Sequence, residues 1–108
     1  MRIIHNLSKE ARTKIIELLL QKRSKKELAE ELGLSPAAIT KFLNNTTHPS
    51  DETIEKAFKI ATEREKREII DIILDDLLES LEEFVEETNV MGRKILKIKK
   101  IINSAMFS

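Results

Sequence analysis

Apolar positions recur along this chain at steps of three and four, the period of one face of an α-helix, in six blocks separated by short polar breaks. Ala11, Ile15, Leu18 and Leu19, widened by Ile16 and Leu20, predict a first helix. Leu28 and Leu32, with the small Ala29 beside them, predict a second over 25–32, and Ile39, Phe42 and Leu43 a third over 36–44. Ile54, Ala57, Phe58 and Ala61 form the apolar face of a fourth. The longest periodic segment runs from Glu63 to Thr88. There Ile70, Leu74, Leu77, Leu81 and Phe84 follow the spacing of a coiled-coil seam, and Ile69, Ile72, Ile73, Leu78 and Val85 widen it. A last stripe, Ile95, Ile98, Ile102 and Ala105, predicts a helix over 93–105. No segment alternates with period two, so the expected class is all-α.

The breaks between blocks carry helix punctuation. Ser8, Ser24, Ser35 and Ser50 each stand where a hydroxyl can accept from the first turn of the next helix. Glu27, three residues after Ser24, completes a capping box, and Thr62 with Glu65 offers another, which predicts a break near 61–63, with a single continuous helix as the alternative. Gly33 supplies the left-handed residue that ends the second helix. Pro36 follows Ser35 at the first helical position, where its missing N–H costs nothing, and Leu34 and Ile39 have the spacing of a hydrophobic staple. Asp51 and Glu52 complement the dipole of the fourth helix. Asn45 to Pro49 reads as a loop, and Asn89 to Gly92 as a helix stop with Gly92 in the turn. The segment 1–7 has two readings: an arm whose Arg2, His5 and Asn6 reach DNA, or, as favoured, a structural segment whose Ile3 and Ile4 pack on the domain or pair with a second chain.

Two short helices joined through Gly33 resemble a helix-turn-helix. Ala29, Gly33 four residues later, then Leu34, Ser35 and Ile39, followed by the segment His48 to Ala61, are similar to the lambda-repressor-like, or XRE, regulators. The resemblance covers 9–61. It implies that helix 36–44 enters the major groove of double-stranded DNA, where each base pair presents a distinct donor and acceptor pattern. Ser35, Pro36, Ala37, Thr40, Lys41 and Asn44 then occupy DNA-facing positions, while Lys25 and Lys26 are placed to contact phosphate. Lys41 can donate to guanine, Thr40 can touch a thymine methyl or a phosphate, and Asn44 can pair with adenine or hold the backbone. Family members often carry glutamine at the first position of the second helix and early in the third. Lys25 and Pro36 stand there, so phosphate contact survives and a glutamine base contact does not.

Charge changes the picture through its distribution. The 108 residues carry no net charge, which taken alone argues against nucleic acid. Residues 1–68 nevertheless hold +3, 69–92 hold −8 and 93–108 hold +5. Lys9, Arg12, Lys14, Lys22 and Arg23 are expected to give the first helix a basic surface. The acidic block from Asp71 to Glu87 is expected to be solvated or to face a partner. An antiparallel hairpin of the last two helices would bring the opposite blocks together and bury both apolar stripes.

No catalytic constellation emerges. His5 and His48 lie far apart, no metal-ligand pair or nucleophile with its base is visible, and no glycine-rich phosphate loop exists. No enzyme activity, cofactor or metal is expected. The absence of cysteine excludes disulfides and thiolate sites. With no run of 18 apolar residues and no signal-like N-terminus, the expected location is the cytoplasm, with no membrane association. Fifteen isoleucines, a single glutamine and abundant lysine and glutamate match the bias of hyperthermophile proteins, or equally of an A/T-rich genome.

The sequence is thus expected to encode an all-α protein. A lambda-repressor-like helix-turn-helix domain over 1–62 would precede a C-terminal helical hairpin or dimerisation helices over 63–108. The implied function is a dimeric, sequence-specific transcriptional regulator, most simply a repressor, whose homodimer forms through Ile70, Ile73, Leu77, Leu81, Phe84, Ile98 and Ile102. The alternative is a protein-interaction module, such as an antitoxin whose acidic helix 69–88 meets a basic protein partner.

Overall fold

Each of the first four α-helices begins where a serine hydroxyl accepts a backbone N–H that would otherwise lack a partner. A computed structural model describes residues 1–89 and 92–107. A short 3₁₀ helix, Arg2–Asn6, is followed by α1 (Lys9–Leu20), α2 (Lys25–Leu32), α3 (Pro36–Leu43), α4 (Asp51–Ile60), α5 (Glu63–Thr88) and α6 (Arg93–Phe107). The described residues contain no strand, and none of their helices is long and apolar enough to cross a membrane. Ser8, Ser24, Ser35 and Ser50 accept from Ala11, Glu27, Ala38 and Thr53, each at 3.1 Å. The Ser24–Glu27 capping box is complete. At the start of α5, Thr62 N–H donates to Glu65 at 2.9 Å and Glu65 N–H to the Thr62 hydroxyl at 3.2 Å, so α4 and α5 are separate helices.

The chain divides into two compact units, Met1–Leu78 and Glu79–Ser108. In the first, α2 packs against α3 and α4, and α1 packs against α2, α3 and α4. Ile15, Ile16, Leu19, Leu28, Leu32, Ile39, Ile54 and Ile69 are fully buried in one core. Each contributes roughly 1.5–3 kcal/mol relative to exposure. Ile69 and Ile73, on α5, are buried in the same core, within the unit that extends to Leu78. Ile73 is thereby withdrawn from the expected dimer surface, while Ile70 stays exposed and Leu77 packs partly on the core.

Two arginines expected on the surface of the first helix are instead structural. Arg12 is buried and donates to the carbonyls of Ile4 (2.8 Å), Leu7 (3.3 Å) and Pro49 (3.0 Å) and to Asp51 (2.6 Å). It ties the N-terminal segment to the loop before α4. Arg23 has its side chain only 11% exposed. It forms a two-pronged pair with Glu65, at 2.7 and 3.1 Å, and a third contact to Glu31 at 3.0 Å. In the segment 1–7 the favoured packed reading holds for Ile4, while Ile3 is exposed. Ile4 and Leu7 are buried, the Met1 ammonium pairs with Glu55, and His5 meets Asp51 at 2.9 Å. The hydrogen bond from His5, then that from Arg12, holds the Asp51 carboxyl below its usual range.

Asp76 likewise leaves the expected solvated acidic block. Its two oxygens accept from the Ser8 N–H at 3.0 Å and the Ser8 hydroxyl at 2.5 Å, joining α5 to the start of α1 inside the first unit. In the second unit Leu81, Val85, Ile95, Ile98 and Ile102 are half-buried and no described side chain is fully buried, so the two apolar stripes expected to close a hairpin are covered only in part within one chain. α5 ends with Asn89 at φ 53°, at the start of the helix stop expected over 89–92, and the Gly92 carbonyl accepts the first bond of α6, from Leu96 N–H at 3.2 Å. The remainder of that expected turn, 90–91, lies outside the described residues.

Gly33 has φ 71°, in the left-handed region, and its N–H and that of Leu34 close the end of α2 on the Glu30 and Ala29 carbonyls at 3.2 and 2.8 Å. An added Cβ would meet only the Lys56 Nζ, at 3.8 Å, so space is not the constraint. Gly33→Val should therefore cost about 1–3 kcal/mol through backbone strain alone. Denaturant unfolding measures this directly, and an unchanged midpoint would remove the left-handed assignment.

Candidate nucleic-acid interface

The candidate surface is built from the starts of α2 and α3 and the outer side of α3. Ile39 and Phe42 turn inward and are buried, which leaves the other side of this eight-residue helix to solvent. Lys25, Lys26, Ser35, Pro36, Ala37, Thr40, Lys41 and Asn44, the eight residues expected to meet DNA, are all exposed. Gly33 sets the turn between the helices, and at the two expected staple positions Ile39 is fully buried and Leu34 packs on the core.

The polar groups on this surface are not equally free. The Lys25 ammonium donates to the Thr40 hydroxyl at 3.3 Å, and that hydroxyl donates to the Pro36 carbonyl at 3.3 Å. The Lys25 side chain of α2 is thus held over α3, and the Thr40 oxygen is engaged as both donor and acceptor on an exposed residue. The Asn44 side-chain oxygen accepts from the Thr46 N–H at 3.1 Å and also from the Thr46 hydroxyl. Its amide NH₂ is left to donate, whereas a two-point pair with adenine would require that oxygen to change partners. At the helix start Ser35 takes the Ala38 N–H and Pro36 has none, which leaves Ala37 N–H as the outward donor of the first turn. Lys26 and Lys41 join no ion pair among the described residues, so their charges are not neutralised within the chain.

Nearby acids are occupied elsewhere. Glu27 closes the Ser24 capping box and Glu31 is paired with Arg23. The Glu65 carboxyl is held down at about 2, chiefly by its hydrogen bond from Arg23, and it remains charged where it anchors the end of α1 to α5. Among the described residues no group of histidine, cysteine and carboxylate side chains has the arrangement of a metal site. The sequence reading missed one feature of this face, the Lys25–Thr40 contact. The two residues lie 15 apart, and only the turn at Gly33 brings them together.

Two capped helices joined by a left-handed glycine, the first buried on its inner side and the second exposing a mixed polar and small face, define a helix-turn-helix. Residues 15–60 match a family model described as Helix-turn-helix, and this segment is a lambda-repressor-like, or XRE, domain, a fold of DNA-binding regulators. No curated protein and no solved structure matches the chain.

Proposed function

We propose that the protein is a sequence-specific transcriptional regulator of the cytoplasm, a repressor by occupancy of its site, that binds DNA as a dimer with α3 in the major groove. The observation that carries this reading is the joint exposure of all eight candidate contacts on the α2–α3 face, with Lys26 and Lys41 free of ion pairs among the described residues. Lys41 is the guanine reader. Thr40, its hydroxyl already engaged, offers its methyl to thymine. Lys25, Lys26 and the Ala37 N–H hold phosphates, and Asn44 donates through its amide.

The proposed dimer surface uses Ile70, Leu77, Leu81, Phe84, Ile98 and Ile102; Ile73 is omitted because the core of its own chain covers it. A two-fold dimer presents two copies of α3 to half-sites about one helical turn apart. Enrichment of bound duplexes from a randomised pool tests the reading. The expected outcome is a recurring inverted repeat with that spacing. Binding without any enriched motif would leave only non-specific phosphate attraction, and no binding at low salt would remove the DNA reading altogether.

A further inference from the structure

We infer that the Glu79–Ser108 unit is closed by a second copy of this chain, each copy laying its basic α6 along the acidic end of the other's α5. This rests on the dimer just proposed and specifies how it is made. Within the unit no described side chain is buried. Leu81, Val85, Ile95, Ile98 and Ile102 are only half-buried, and Phe84 is 55% exposed, Leu96 59% and Ile101 68%, so part of the apolar surface of both helices stands uncovered. Large apolar side chains left exposed on both helices are candidates for an interaction surface.

The charges on the same unit choose the occupant. Glu79, Glu82, Glu83, Glu86 and Glu87 lie on α5, and Arg93, Lys94, Lys97, Lys99 and Lys100 on α6. Among the described residues no ion pair joins the two groups. A covering partner must therefore offer apolar side chains flanked by both signs. A basic protein would match α5 and repel α6, an acidic one the reverse, and DNA would be repelled by α5 and could not cover the apolar residues. A second copy supplies a basic helix for α5 and an acidic one for α6 at once. Two-fold symmetry makes these the same contact twice, because if α5 meets the partner's α6, α6 meets the partner's α5. Pairing α5 with α5 would set like charges together. Exposed ion pairs contribute little each, so closure of the apolar surface supplies most of the affinity, while charge fixes partner and orientation.

Charge reversal on the full chain tests the exchange by sedimentation equilibrium at low salt, with circular dichroism confirming helix content. One variant carries Lys97→Glu and Lys100→Glu, the other Glu83→Lys and Glu86→Lys. Each alone should self-associate about tenfold or more weakly than the parent. Mixing the two should restore affinity, since each then meets the opposite charge on both helices, and a chain with all four changes should dimerise like the parent. If the parent dimerises and neither variant is weakened, the exchange is wrong and the dimer stands. If weakened variants fail to recover on mixing, the charges pair within one chain and the exchange is again wrong. If the parent is monomeric at about a hundred times micromolar concentration, both the exchange and the proposed dimer fall, while motif enrichment from the randomised pool still judges the DNA reading separately.

Discussion

Glu65→Ala should destabilise the protein by about 3–5 kcal/mol, because it removes one partner of a buried ion pair and leaves the Arg23 guanidinium without its main acceptor. The Glu65 residue is 5% exposed. It accepts two bonds from Arg23, at 2.7 and 3.1 Å, and a third from the Thr62 N–H at 2.9 Å, so the substitution also opens the cap of α5. A loss of this size is a large share of the total stability of a small domain. Glu65→Gln keeps an oxygen for Thr62 and should cost less. The pair also sets an acid limit. Folding lowers the Glu65 carboxyl from 4.5 to about 2, with the Arg23 hydrogen bond as the largest cause. A carboxyl depressed in the folded state contributes its full stabilisation above the unfolded value, and loses it as pH falls through the folded one. The contribution, about 3 kcal/mol, should therefore be present above pH 4.5 and disappear between there and pH 2. Urea unfolding of the parent and of Glu65→Gln across that window measures it. Parallel pH profiles for the two proteins would show that this carboxyl is not the titrating group.

Lys41→Ala should cost about 1–3 kcal/mol on an enriched site and relax the preference at one base position, with a smaller loss on random duplex. Lys25→Ala should behave differently. It should weaken enriched and random DNA alike and lower the slope of log affinity against log salt by about one, as expected when one phosphate contact is lost. The contrast comes from position, since Lys41 projects from the exposed side of α3 whereas Lys25 sits at the start of α2, tied to Thr40. Titrations of both variants on both duplexes at several salt concentrations separate the two roles. Identical behaviour would remove the assignment of Lys41 as a reader.

Features fixed by neighbours in sequence were legible before the structure. The Ser24–Glu27 box, the left-handed Gly33 and the break at Thr62 each depend on groups within a few residues of one another, so spacing alone implies them. The fate of charged side chains was not legible. Arg12 and Arg23 look like any surface cation on a helix, and become structural only because folding brings Asp51 and Glu65 beside them from 39 and 42 residues away. Asp76 reads as one more member of an acidic run until Ser8, 68 residues distant, donates to it. One residue expected on the dimer surface of α5 was lost in a related way. Periodicity shows that Ile70, Ile73 and Leu77 share a face, but it does not show that Ile73 is used by the N-terminal core. On the DNA face the sequence identified the exposed residues, while the engagement of the Asn44 oxygen by Thr46 required the observed turn after α3.

The central claim is that α3 reads base edges in the major groove, and methylation interference on an enriched duplex tests it most directly. Methyl groups on guanine N7 project into the major groove, whereas those on adenine N3 lie in the minor groove. The account predicts that guanine N7 methylation within two half-sites about one helical turn apart blocks binding by the parent protein, and that at least one of these effects vanishes with Lys41→Ala. Interference confined to adenine N3, or a guanine pattern identical for the parent and Lys41→Ala, would contradict it.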